Sequence, residues 1–280
     1  MRRLARLPIA LFFICATLLA GVSTGARAAD REDVARFLTV TGFDVALESI
    51  RLSADSAPQM LGIDADAFGS EWQRLVREVF DTDVMLKMGT DILAQTLDEE
   101  ALTHAADFYA SDLGTRLVEA ENAAHMSEDD AVEDEGGQAI IEGLRSISSP
   151  RIALLERLNN ASDVEDNSIR ALQEVQIRFL LAAAQAGVIE LQLEEPDLRE
   201  LMLSQEDEMR ASIRENALVN SAYTYQAFSD DEIEAYAEAL EHPLMQKVYA
   251  LMNAVQYEIM ANRYEAVALR LSGMQPSQDL

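Results

Sequence analysis

Two pairs of side chains have a spacing that suits a metal site on a helix. Glu100 and His104, and likewise Glu121 and His125, lie four residues apart and so share a helix face. A helical hairpin could also bring Glu119 near His104. However, the 3 histidines of the chain form neither the paired Glu-x-x-His set of di-iron bundles nor a His-Glu-x-x-His zinc motif. We therefore predict no metal site and no cofactor, with the histidines pairing with neighbouring carboxylates.

Motifs for covalent catalysis are absent from the sequence. There is no Gly-x-Ser-x-Gly elbow, no Ser-x-x-Lys and no glycine-rich phosphate loop. The single cysteine, Cys15, lies in a segment that we expect to be removed. We predict no catalytic residues and a non-enzymatic role, although scattered residues could still assemble a hydrolase site.

Residues 126–137 carry an acidic run followed by Gly136 and Gly137. This run lacks the alternating oxygen ligands, central glycine and closing glutamate of a twelve-residue calcium loop. We predict a solvated acidic loop that attracts cations weakly.

Tyrosine and methionine side chains are concentrated in the last third of the chain. They could line a groove for an apolar ligand or a partner helix, or they could pack the helices together. Solvent exposure separates the two interpretations, since a binding groove requires an exposed patch. The residues are Tyr223, Tyr225, Tyr236, Tyr249, Met252, Tyr257, Met260 and Tyr264.

Apolar residues recur at three- and four-residue spacing throughout, which predicts an all-α protein. A first helix is expected over 32–53, ended by Pro58 and the residues before it. Asp64 or Asp66 is expected to cap a second helix, and Asp81 or Asp83 a third.

A helical hairpin occurs twice, over 97–124 and over 228–255, when Tyr109 is placed over Leu240. The first copy begins at Asp98, and Ser111 caps its second helix. The second begins with the capping box of Ser229 to Glu232, and Pro243 occupies a first helical position. So short a turn makes each helix pair antiparallel. The pattern predicts two related halves.

The remaining segments are also predicted as helices. A short helix follows Pro150 to position 158, and an acidic break over 163–166 precedes a long helix that includes Ile177 and Ile189. Pro196 opens a helix towards Ile213, and the last helix runs from 243 to 271.

The N-terminal segment has the composition of a signal peptide. Arg2, Arg3 and Arg6 precede an apolar stretch, and Ala26 to Ala28 supply small residues at the spacing of a cleavage site. We predict cleavage after Ala28, a periplasmic location and no stable membrane insertion, because no later stretch is long and apolar enough to span a bilayer.

Strong negative charge excludes some partners. The formal net charge is −28, and removal of residues 1–28, which carry four arginines and no acid, takes it to −32. Such a field repels phosphate backbones and anionic lipids, and it favours cationic partners. We therefore predict no nucleic-acid binding.

The stretch Phe108-Tyr109-Ala110-Ser111-Asp112-Leu113-Gly114, with Arg116, Leu117 and Glu119, resembles the hallmark segment of domain of unknown function 2059. The resemblance is best over 80–126, with a degenerate second copy over 211–257. It implies an exported, all-helical bacterial protein without an established activity. The candidate functional or structural turn comprises Phe108, Tyr109, Ser111 and Gly114.

These observations give one interpretation of the whole chain. Residues 1–28 form the signal peptide, 29–126 the first helical half, 127–149 an acidic loop and connecting segment, 150–272 the second half and 273–280 a disordered tail. The favoured function is a non-enzymatic role in contacts with other periplasmic proteins. The alternative is a periplasmic carrier of an apolar or cationic small ligand bound between the halves.

Overall fold

The computed structural model describes residues 28–54, 70–127, 130–162 and 164–271. These residues form α-helices and no β-strand, apart from an isolated bridge between Ala28 and Asp98. The predicted all-α class is confirmed. The helices are α1 (Arg31–Val40), α2 (Phe43–Ser53), α3 (Ser70–Val79), α4 (Thr82–Thr96), α5 (Glu99–Tyr109), α6 (Asp112–His125), α7 (Asp130–Ser146), α8 (Arg151–Ala161), α9 (Val164–Gln185), α10 (Glu195–Ser204), α11 (Glu206–Thr224), α12 (Asp230–Glu241) and α13 (Pro243–Leu271).

Side-chain caps fix the starts of the central helices, as the sequence predicts. Asp81 accepts a hydrogen bond from the amide of Val84, and Asp98 and Ser111 cap α5 and α6 in the same way. Ser229 and Glu232 form a reciprocal capping box at α12. Each cap satisfies amide groups that have no partner within the helix.

The single helix predicted over 32–53 is wrong, because the chain breaks between α1 and α2. Gly42 has a φ of 71°, which lies in the left-handed region that favours glycine. A Cβ at this position would lie 2.1 Å from the side-chain oxygen of Asn122 on α6. The predicted caps Asp64 and Asp66 lie outside the described residues, which resume at Ser70.

The solvated acidic loop predicted over 126–137 is also wrong, because Asp130–Ser146 is helical. The two glycines do not break the helix; they let it approach α11. A Cβ on Gly137 would lie 2.4 Å from the carbonyl oxygen of Val219, and one on Gly136 would lie 2.7 Å from the Tyr223 ring. Tight packing against α11 therefore outweighs the low helix propensity of glycine.

Two further helix boundaries differ from the predictions. The helix expected to include Ile189 ends at Gln185, since Gly187 turns the chain with a φ of 74°. The helix expected from Pro196 towards Ile213 is two helices, separated at Gln205.

Two groups of five helices show the same pattern of helix–helix contacts. The first group is α1, α2, α4, α5 and α6, and these correspond in order to α8, α9, α11, α12 and α13 of the second group. In the first group α1 contacts α2, α4 and α5, while α2 contacts α4 and α6, and α5 contacts α6. In the second, α8 contacts α9, α11 and α12, while α9 contacts α11 and α13, and α12 contacts α13. Helix α13 joins the groups, because it also packs against α3, α4 and α5.

Aromatic packing anchors the centre of the long helix α13. The Tyr264 ring meets the buried Phe80 and Phe179 rings edge to face, at centroid distances of 5.3 and 5.4 Å. Such contacts add to the free energy gained from apolar burial. No helix in the described part of the chain is both long enough and apolar enough to cross a membrane.

Candidate functional site

A carboxyl group on α6 lies within a cluster of tyrosines from the second group of helices. The hydroxyls of Tyr225 and Tyr236 donate to the same Glu121 oxygen, Oε1, at 2.8 and 2.9 Å. The Tyr249 hydroxyl lies 2.9 Å from that of Tyr236 and 2.5 Å from that of Tyr109. We call these five residues the Glu121–tyrosine cluster.

The directions of these hydrogen bonds follow from proton count. Each phenol has one proton, and Tyr236 gives its own to Glu121. Tyr249 must therefore donate to Tyr236, and Tyr109 must donate to Tyr249. The chain of donors converges on one oxygen of Glu121.

The helical repeat places Glu121 in this position. Leu117 and Val118 are buried, and Glu121 follows them by four and three residues, so it continues the same buried face of α6. The apolar stripe of this helix thus includes one acid, and pairing with phenols offsets part of the cost of burying it.

The corner between α11 and α12 holds Tyr225. Arg151, with 13% of its side chain exposed, donates to the carbonyl oxygens of Tyr225 and Phe228 at 2.7 and 2.8 Å. It also pairs with Asp230 at 2.6 Å. These bonds satisfy carbonyls at the end of α11 and fix the ring of Tyr225 relative to α6.

Burial controls the protonation of the cluster. It raises the pKa of Glu121, while hydrogen bonds from Tyr225 and Tyr236 oppose that rise. Burial and the nearby Glu121 charge raise the pKa of both these phenols well above the ordinary value, and the pKa values of Tyr109 and Tyr249 are raised too. The phenols therefore stay protonated at neutral pH and serve as hydrogen-bond donors.

Four members of the cluster, Glu121, Tyr225, Tyr236 and Tyr249, line an open cavity of about 710 Å³. Residues of α6, α7, α8, α11, α12 and α13 line it, so it lies between the two groups of helices. Its acidic residues are Glu121, Glu133 and Asp134, its basic residue is His125, and no lysine or arginine lines it among the residues that the structure describes. Its other polar residues include Asn159, Asn220 and Asn253.

The second oxygen of Glu121 is available to this cavity. No described protein group donates to Oε2, and this atom is not among the buried polar atoms that lack a partner. Because Glu121 is half-buried and lines the cavity, Oε2 can accept a hydrogen bond from a molecule within it.

Glu121 and His125 both line the cavity, but no hydrogen bond or ion pair joins them, so the predicted pairing of this histidine with Glu121 is not seen. His125 is exposed as a whole residue, but desolvation of its imidazole at the cavity wall lowers its pKa, which favours the neutral ring at pH 7. His104 stacks on His242 at a centroid distance of 4.0 Å. No group of three metal-binding side chains occurs among the described residues. The absence of a metal site and of a cofactor remains a prediction.

The candidate turn from Phe108 to Gly114 packs against the Glu121–tyrosine cluster. Ser111 accepts a hydrogen bond from the Gly114 amide at 3.0 Å, and Phe108 stacks on the Tyr236 ring at 5.8 Å. A Cβ on Gly114 would lie 2.3 Å from the Phe108 carbonyl oxygen. Tyr109 reaches from this turn into the cluster, so the turn positions one of its donors.

The tyrosines and methionines of the last third of the chain do not form an exposed groove. Tyr236 and Tyr264 are buried, and the remaining members are half-buried, so these residues provide no exposed patch. Instead Tyr225, Tyr236, Tyr249 and Tyr257 line the cavity. Sequence reasoning missed their link to Glu121, although the position of this acid on the buried stripe of α6 signals it.

Comparison with known proteins gives one match. Residues 83–142 match the family described as "Uncharacterized protein conserved in bacteria (DUF2059)". This stretch runs from α4 into α7, and it includes Glu121, His125, Glu133 and Asp134 but none of the cavity tyrosines. No curated protein and no solved structure matches the chain. The match supports the resemblance at the first hairpin and does not reach the second copy over 211–257.

Proposed function

We propose that this protein is an exported, non-enzymatic binding protein that holds a small organic molecule in the cavity beside Glu121. The observation that carries this proposal is a carboxyl group that faces an open, mainly polar cleft of about 710 Å³. This volume lies within the range of ligand pockets. Of the two roles predicted from the sequence, the carrier has the stronger geometric support.

The proposed location rests on the signal-like N-terminal sequence and agrees with packing at the expected cleavage point. Ala29 is buried, and its amide donates to the Leu97 carbonyl oxygen at 2.9 Å. An amino group in place of that amide could make the same bond, so cleavage after Ala28 would leave this contact in place.

We infer that the cavity lies between two copies of an ancestral unit. Helix starts support this, since Asp98 and Ser229 both cap helices and lie 131 positions apart, as do the first residues of α6 and α13. The matching helix pairs of the two groups support it further. So do two ion pairs, Arg116 with Glu232 and Lys247 with Asp98, in which equivalent residues reach the start of the other hairpin.

Native mass spectrometry of protein purified from the periplasm tests the binding role. We expect a stoichiometric adduct on the wild type that is lost in Ala217→Trp, which fills the cavity, and kept in Ala211→Trp. Both alanines lie on α11, but Ala217 lines the cavity whereas Ala211 is exposed. Empty wild-type protein, or an adduct that Ala217→Trp keeps, would count against a carrier.

Contact with other periplasmic proteins is the second candidate function. Its support is the exposed apolar side chains of Leu201 and Leu203 on α10, which are 44% and 60% exposed. Cross-linking in the periplasm, with Leu203→Glu as the variant, tests it. Loss of a specific cross-linked species in the variant would favour this role over the carrier.

A further inference from the structure

The walls of the cavity select for positive charge. Glu121 contributes a carboxyl group from α6, and Glu133 and Asp134 contribute two from α7. The one basic side chain among the described lining residues is His125, and desolvation lowers its pKa, which favours its neutral form at pH 7. The three carboxyl groups would repel an anionic ligand, and the strongly negative protein as a whole would add to this repulsion.

A purely apolar ligand also fits poorly. It would cover Glu121 and cut its Oε2 off from water without supplying a hydrogen bond, which costs free energy. An ammonium group would donate to Oε2 instead, and a charge-assisted hydrogen bond of this kind is stronger than a neutral one.

The acids of the lining come from two separate helices. Glu121 is held in the tyrosine cluster, whereas Asp134, on the adjacent helix, is exposed to solvent. A compact monovalent cation could neutralise either Glu121 or the acids of α7, but not both at once. An extended molecule with an ammonium group at each end could neutralise both, because Glu121, Glu133 and Asp134 line the same cavity.

From this geometry we infer that the ligand is an aliphatic diamine or polyamine, with one primary ammonium group at Glu121 and another at Glu133 and Asp134. The inference rests on the proposed binding role and narrows it to one class of ligand. Both carboxyl sites lie in the stretch that matches the bacterial family, whereas the tyrosines that line the cavity lie outside it.

Isothermal titration at constant ionic strength with 1,4-diaminobutane, butylamine, 1,4-butanediol and MgCl₂ tests the inference. We expect 1,4-diaminobutane to bind most tightly, butylamine to bind more weakly and butanediol not to bind. Glu121→Gln should weaken binding of both amines about 10- to 100-fold, the range expected for loss of a charged hydrogen bond. The double variant Glu133→Gln/Asp134→Asn should weaken only the diamine.

The matched variants separate a binding defect from a folding defect. Glu121→Gln keeps an acceptor for Tyr225 and Tyr236, and the α7 double variant changes more exposed side chains, so at least one variant should fold. Equal diamine affinity in wild type and both variants would overturn the inference, as would equal affinity for Mg²⁺ and the diamine. If no amine binds but native mass spectrometry shows another adduct, the inference fails while the binding role stands.

Discussion

The two groups of helices share their packing pairs but differ in what they contribute to the cavity. In the register that places Tyr109 over Leu240, Tyr236 and Tyr249 correspond to Ala105 and Val118, both buried. The second group thus supplies bulky donors where the first has small apolar side chains.

At one position the polar side chain belongs to the first group and the apolar one to the second. Glu121 of the first group corresponds to Met252 of the second, which is half-buried and has no charge. The acceptor therefore comes from one group and its donors mainly from the other. Similar helix packing with different side chains shows that the fold permits the site but does not require it.

The largest effect is expected at the turn where the two hairpins differ. Gly114 corresponds to Met245, and a Cβ on Gly114 would lie 2.3 Å from a backbone oxygen. Gly114→Ala should therefore lower the free energy of unfolding by about 3 kcal/mol, at the upper end for overpacking. Urea denaturation measures the change.

Gly143→Ala is the control for this substitution. Gly143 lies in α7, and a Cβ there would meet no atom within 4 Å. Alanine should raise the free energy of unfolding by up to about 1 kcal/mol through better helix propensity. Similar losses in both variants would mean that the Gly114 turn has no special need for glycine.

The next largest effect is expected in the Glu121–tyrosine cluster, where the two hairpins contribute different side chains. Tyr236→Phe removes the hydroxyl that donates to Glu121 and accepts from Tyr249. We expect a loss of about 2 kcal/mol, since two buried polar groups lose a partner. Thermal unfolding of this variant and of the Tyr236→Phe/Tyr249→Phe double variant measures it.

The double variant sharpens this comparison. If the cluster acts as one network, Tyr249→Phe should lower the free energy of unfolding less in the Tyr236→Phe background than in the wild type, because the hydroxyl to which Tyr249 donates is already missing. Strict additivity of the two losses would contradict a continuous chain of hydrogen bonds.

Equivalent caps should have similar effects in the two hairpins. Asp98→Ala and Ser229→Ala each remove a side chain that accepts from a helix amide, and each should cost about 1 kcal/mol. Chemical denaturation of the two variants under the same conditions checks this. A loss in one hairpin alone would weaken the idea of a common ancestral unit.

The smallest effect is expected at the ion pairs between the hairpins. Lys247→Gln removes the partner of Asp98, and Lys247 is 45% exposed, so solvent screens much of the interaction. The loss should stay below about 1 kcal/mol and should shrink at high salt. Denaturation at low and high NaCl concentrations measures it, and a salt-independent loss would point to packing instead.

The helical fold and most helix starts could be predicted from the sequence because caps and periodicity are local. Ser111 and Ser229 sit at helix starts as expected. The break at Gly42 and the helix through Gly136 depend on close approach to Asn122 and Tyr223, which are far away in sequence. Local propensity contains no information about such neighbours.

The candidate site was harder to predict for the same reason. The sequence drew attention to Glu121 through its spacing from His125, and to the tyrosines through their frequency. Their contact joins α6 to residues more than 100 positions later in the chain, as with Tyr225 and Tyr236. Only the packing of the two groups of helices shows that an acid on a buried stripe meets phenols there.

Carbon-13 NMR of glutamate-labelled protein tests the central claim most directly, with Glu121→Gln assigning the signal. In the free protein burial raises the pKa of Glu121 above its ordinary value of 4.5. The folded protein then holds this proton more tightly than the unfolded chain, so the Glu121 contribution to stability falls as pH rises from 4.5 through the folded pKa. We predict that saturating 1,4-diaminobutane lowers this pKa, because an ammonium group favours the carboxylate. A Glu121 pKa that 1,4-diaminobutane leaves unchanged would contradict the account.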